Sequence, residues 1–134
     1  MKVALVYDRV NKWGGAERVL LVLHKIFPYA PLYTSVYSKK NAPWVKVFPQ
    51  VKTTFLQRIP FFRTRHELVP FLMPFAFERL DLSGYDLVIS VTSESAKGVI
   101  KLGDAKHICY CLTPTRYLWH DYETYFPSKL KRII

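Results

Sequence analysis

Apolar residues fall in short blocks, separated by glycine, proline and charged punctuation. The first block, KVALVY at residues 2–7, is continuously apolar from Val3 and stops at Asp8, which predicts a buried strand. The stretch NKWGGAERVL follows. Beyond its glycine pair, Ala16, Val19, Leu20, Leu23, Ile26 and Phe27 recur at helical spacing, and Pro28 ends the run. LYTSV at 32–36 predicts a second strand, and 51–55 a weaker third. Residues 64–80 are apolar but hold Pro70 and Pro74. Proline inside a helix removes a hydrogen bond and clashes with the preceding turn, so a kinked or broken helix is expected there. YDLVISVT at 85–92 has the clearest strand pattern. SESAKGVIKL at 93–102 then predicts a short helix with Ser93 as its N-cap, and 106–111 another strand. An aromatic helix over 117–125 and a further helix from Pro127 complete the expectation.

Strands alternating with helices imply an α/β fold, a Rossmann-like three-layer domain around a parallel sheet. The chain of 134 residues fits one domain with a real core, and no repeat, linker or low-complexity segment divides it. Half of the residues are hydrophobic, which argues against a disordered tail. No stretch approaches the roughly 18 apolar residues of a membrane span. The first strand is too short for the apolar region of a signal peptide, so the reading is a cytoplasmic protein.

The net charge of +10 is unevenly spread. Residues 39–66 carry Lys39, Lys40, Lys46, Lys52, Arg58, Arg63 and Arg65 and no acid, interleaved with Trp44, Phe48, Phe55, Phe61 and Phe62. Such a block faces nucleic acid or anionic lipid, or is a solvated surface with its aromatics turned inward. Cys109 and Cys111, two apart on a strand, share one face and suit no disulfide; they are expected to be buried, reduced thiols. With no second cluster they are not a zinc site, and no metal is expected.

Two constellations carry chemistry. A strand, a glycine turn and a helix N-terminus bring free N–H groups and the helix dipole to bear on one point, which suits a phosphate. Gly14 and Gly15 fit that role, although the sequence is neither a dinucleotide fingerprint nor a Walker A loop, and an ordinary βα turn also fits. Glu17 is expected in the first helical turn, where negative charge is favoured. The second constellation, CYCLTPTRYLWHDY at 109–122, leaves a strand into a loop with Thr113 and Arg116. Arg116 either binds a phosphate or carboxylate in bidentate fashion or pairs with Asp121 or Glu123. In an open parallel sheet both loops, and the loop after Thr92 with Ser93, Glu94, Ser95 and Lys97, open at the carboxyl ends of the strands.

The segments G-G-A-E-R-V, S-x-S-A-K-G-V and Y-C-x-T-P-x-R-Y-x-W, each behind a strand, resemble retaining family-four glycosyltransferases, nearest to the mannosyltransferase-like branch of surface polysaccharide synthesis. The likeness runs in register over residues 2–125, and the T-P-x-R-Y-x-W segment is its specific part. The resemblance implies the N-terminal, acceptor-side half of a GT-B fold, moving a hexosyl group, mannosyl in that branch, from a nucleotide-sugar to a saccharide or lipid-linked acceptor. Gly14 and Gly15 would meet the donor diphosphate; Ser93, Glu94, Lys97, Thr113, Arg116 and Tyr117 would line the acceptor cleft. The nucleotide-sugar is a substrate, and no cofactor or metal is implied. Lipid-linked acceptors also suggest peripheral docking on an anionic inner membrane face through Lys39, Lys40, Arg58, Phe61, Phe62, Arg63 and Arg65, with Phe71 and Phe75 as further apolar anchors.

The chain also departs from that pattern. Leu112 and Glu94 stand where many relatives carry histidine, so no histidine role transfers, and no catalytic residue is assigned. His24, His66, His107 and His120 are read as structural or surface residues. No two glutamates have the paired spacing of the family's donor domain. The expectation is a single acceptor-side domain over 1–134 (a fragment, a truncated product or a split subunit) that needs a C-terminal donor domain for useful transfer. The rival readings are a basic nucleic-acid-binding α/β module, for which no recognised motif appears, and a receiver-like domain, for which Asp8 is the one acid placed at the strand ends.

Overall fold

The computed structural model describes residues 1–60, 71–100 and 103–113. Its strands are β1 (Val3–Tyr7), β2 (Leu32–Thr34), β3 (Val51–Thr53), β4 (Leu87–Thr92) and β5 (Lys106–Cys111), and its α-helices are α1 (Gly15–Ile26) and α2 (Leu72–Glu78). The five strands form one sheet in the order β3-β2-β1-β4-β5, and every pairing is parallel. The chain is thus an α/β domain with a Rossmann-like sheet. Strand order runs outward from β1 to β3, then restarts on the other side of β1 with β4. The gap between the ends of β1 and β4 is therefore a topological switch point.

Both faces of the sheet are covered, which explains why β1 reads as an unbroken apolar run and β4 as an apolar run broken only by Ser90 before Thr92. Val3, Leu5 and Tyr7 of β1 join Leu20 of α1 and Ile89 and Val91 of β4 in one core. Ala4 and Val6, pointing the other way, join Val88, Met73, Phe77 and Leu82 in a second core beneath α2. Full burial of a side chain such as Phe77 contributes about 1.5–3 kcal/mol.

Several expectations need correction. The strands at 32–36 and 51–55 are shorter than expected, ending at Thr34 and Thr53; the later one stops where Thr54 caps a 3₁₀ turn at Phe55–Arg58. Ile26 is exposed, because the buried stripe of α1 runs through Leu20. Of the broken helix, Leu72–Glu78 is α-helical; 61–70 lies outside the described residues, as do the expected helices beyond 113. Of the helix expected over 93–102, the described residues 93–100 do not form an α-helix with Ser93 as N-cap, and 101–102 lie outside the described residues. Only a 3₁₀ turn at Ala96–Gly98 follows β4, and its preceding residue is Ser95. Cys109 and Cys111 are free but exposed, not buried, because β5 is the edge strand and its residues are largely exposed. His107 on β5 bonds Ser90 through Nε2 at 2.8 Å, which supports its reading as structural.

Candidate functional site at the switch point

The floor of the site follows from strand register. Tyr7 pairs with Val91, so Asp8 and Thr92 emerge side by side at the ends of β1 and β4. Thr92 Oγ1 donates to both carboxylate oxygens of Asp8, at 2.9 and 3.1 Å. The chain then turns over the carboxylate. Ser95 N and Ala96 N donate to Oδ1 at 2.9 and 2.8 Å, and Ser93 N and Glu94 N to Oδ2 at 2.8 and 3.1 Å. Successive amides folded around a point form an anion-binding nest. Here the protein's own aspartate fills it. Asp8 takes the amides that a helix start at Ser93 would leave without partners, and the turn goes no further than Gly98, because the backbone at Val99 is extended (φ −61°, ψ 138°).

The glycine turn forms the opposite wall. Gly14 precedes α1 with an extended backbone, and no side chain caps the helix. The first N–H groups of a helix have no partner within it. Glu17, expected merely to sit in the first turn, is only 1% exposed, and it accepts from the Tyr7 hydroxyl at 2.6 Å. Burial pushes the Tyr7 phenol well above its ordinary range, and the hydrogen bond and charge of Glu17 push it further. The same carboxylate explains Gly14: a Cβ there would stand 3.1 Å from Glu17 Oε2, whereas one on Gly15 would meet nothing within 4 Å. Gly14 is thus favoured by a close approach within the protein, and Gly15 leaves open space.

Arg9 joins the walls. Its Nη1 and Nη2 donate to Glu94 Oε2 and Oε1 at 2.8 and 2.9 Å, and the two side chains are 17% and 18% exposed. Between these groups lies a cleft of about 190 Å³, which Lys12, Trp13, Gly14, Gly15 and Ser93 also line. A larger cavity of about 670 Å³ lies away from it, beside Lys2, Tyr29, Gln50 and Tyr85 at the amino end of the sheet, and it holds none of the expected site residues.

The structure brings Gly14, Gly15, Ser93 and Glu94 into one cleft. Thr113, just past β5, reaches the same loop, with Oγ1 3.5 Å from Ser93 Oγ. Lys97 is exposed and does not line the cleft. Arg116 and Tyr117 lie outside the described residues, as do Phe61, Phe62, Arg63 and Arg65. Lys39, Lys40 and Arg58 are exposed, and Phe48 from the basic block is buried. Phe71 and Phe75 are exposed; Phe75 meets Phe55 edge-on at 6.3 Å, and Arg79 lies over its ring at 5.3 Å. Sequence reasoning missed Tyr7, Arg9 and the interior place of Glu17. An acid directly after a buried strand was the one available signal, and it pointed to Asp8.

No family model, no curated protein and no solved structure matches the chain.

Proposed function

We propose that the chain is the acceptor-side domain of a retaining GT-B glycosyltransferase, one that moves a hexosyl group from a nucleotide-sugar to a saccharide or lipid-linked acceptor. The observation that carries this reading is the cleft at the switch point, where the glycine turn and the loop after β4 face each other across β1 and β4. Ligands of open parallel sheets gather at this position. The N–H groups at the start of α1, with Lys12 beside them, would meet the donor diphosphate at the rim. The loop clamped by Asp8 and Arg9 would hold the acceptor. Electrostatic stabilisation of a departing diphosphate needs no metal when amides and cations are aimed at it. A second Rossmann-like half would hold the rest of the nucleotide-sugar.

Peripheral membrane contact belongs to the same proposal. Among the described residues, no helix is long and apolar enough to cross a membrane. Exposed Lys39, Lys40 and Arg58, and exposed Phe71 and Phe75, are suited to an anionic surface. Co-sedimentation with anionic but not neutral vesicles is expected, and equal pelleting on both would remove the electrostatic part.

The main test is an amide-resolved NMR titration of the chain with UDP and GDP. Shifts centred on Gly15 and Ala16 are expected. Silence there, together with salt-sensitive binding of random oligonucleotides at Lys39, Lys40 and Arg58, would replace the proposal with a nucleic-acid module.

A further inference from the structure

We infer that the Trp13 indole is the platform on which a sugar ring of the acceptor rests, an assignment that deepens the glycosyltransferase reading and depends on it. Trp13 lines the cleft and remains 50% exposed, so its indole is open to a ligand there. It is held there. Trp44 packs against it at 5.9 Å with planes tilted by 58°. Trp44 is itself fixed by donating Nε1–H to the Lys12 carbonyl at 2.9 Å and by an edge contact with Phe48 at 6.4 Å. Phe48 belongs to the buried core, so the rim indole is braced back to the interior. A side chain ordered before the ligand arrives loses little entropy on binding.

The cleft around it suits a neutral polyhydroxylated ring. Its volume of about 190 Å³ is below the roughly 300–1,000 Å³ of pockets for drug-sized ligands, so it admits a compact group. Asp8, Glu17 and Glu94 bring three carboxylates to its lining, against the two cations Arg9 and Lys12. Such a floor disfavours a bare anion and leaves the phosphate position at the rim by Gly15. A pyranose presents a flat C–H face and a periphery of hydroxyl groups that both donate and accept. The indole matches the face, and the Arg9–Glu94 pair offers donors and acceptors to the periphery.

The test uses the ¹⁵N-labelled chain, with the Trp13 indole N–H signal assigned through Trp13→Phe. Methyl α-mannoside, α-glucoside and α-galactoside and their disaccharides are titrated in one series, UDP and GDP in another. At least one sugar is expected to shift the Trp13 signal saturably. Trp13→Ala is expected to weaken that sugar about tenfold or more, with the amide spectrum otherwise retained, and Trp13→Phe to keep affinity within about threefold. Sugars that leave the Trp13 signal unmoved, or that bind Trp13→Ala as tightly, overturn the platform. If nucleotides still shift Gly15 and Ala16, the platform alone has failed; if neither series binds, the glycosyltransferase reading falls with it.

Discussion

Replacing Asp8 by asparagine tests the central claim about the switch point, that one carboxylate holds the loop after β4 in place. The substitution keeps the size of the side chain and turns one acceptor oxygen into an NH₂ donor. Whichever way the amide is turned, that NH₂ faces two backbone N–H groups: Ser95 and Ala96 at the Oδ1 position, or Ser93 and Glu94 at the Oδ2 position. Two hydrogen bonds to a charged acceptor are lost, each contributing about 1.5–3 kcal/mol. Independent losses would total about 3–6 kcal/mol. The four amides lie in one turn and three of their residues are half-buried, so water recovers part of the loss. The expected destabilisation is about 3 kcal/mol, a large share of the roughly 5–15 kcal/mol that holds a typical domain together. Urea unfolding of Asp8→Asn against the parent chain measures it. Hydrogen exchange at residues 93–96 locates it, and faster exchange is expected at those four amides. A loss under about 1 kcal/mol, with unchanged exchange at 93–96, would refute the clamp.

Three further outcomes follow from the same geometry. Gly14→Ala is expected to cost about 1 kcal/mol in urea unfolding, because Glu17 must shift by a few tenths of an ångström while bonded to Tyr7; Gly15→Ala should leave stability unchanged or raise it slightly. Tyr7→Phe leaves the Glu17 carboxylate buried without that donor and should cost about 2 kcal/mol. In the parent chain the raised Tyr7 pKa means that the unfolded state loses this proton first. The stabilisation is therefore complete below about pH 10 and declines above it, and a phenolate absorbance titration against Tyr7→Phe should find Tyr7 un-ionised above the ordinary phenol range near pH 10. His107 has the opposite sign. Burial lowers its pKa, so the unfolded state binds the proton first as pH falls. Its contribution is present above the ordinary histidine range near pH 6.5 and is lost below it, which an NMR titration of the His107 ring should report as a depressed midpoint.

How much of this was legible depended on the range of the interaction involved. β1 and β4 could be read because a strand buried on both faces is apolar along nearly its whole length. α1 could be read from its 3.6-residue stripe, with Pro28 as its stop. The start of the 93–102 segment has a local pattern that suits a helix, yet residues 96–98 make only a 3₁₀ turn, and nothing near it in sequence announces that Asp8, 84 residues before Thr92, will bind its amides. Cys109 and Cys111 were misread for a related reason. Their apolar run resembles a central strand, and only sheet order makes β5 an edge. The sequence pointed to a close approach of the backbone at Gly14, with a phosphate as its partner; the close approach in the structure is to Glu17.

By itself, then, the order of residues determined the alternation of strands and helices, the parallel sheet they imply, and the carboxyl edge on which polar loops collect, since each follows from periodicity within a few neighbouring positions. Tertiary structure alone decided which groups meet there: Asp8 with the amides after β4, Arg9 with Glu94, Tyr7 with Glu17, and Trp13 braced at the rim. Those pairings are contacts between separate segments: the first two form when β4 docks beside β1 in one particular register, Tyr7–Glu17 when α1 packs on β1, and Trp13–Trp44 when the 43–47 turn packs beside the glycine turn.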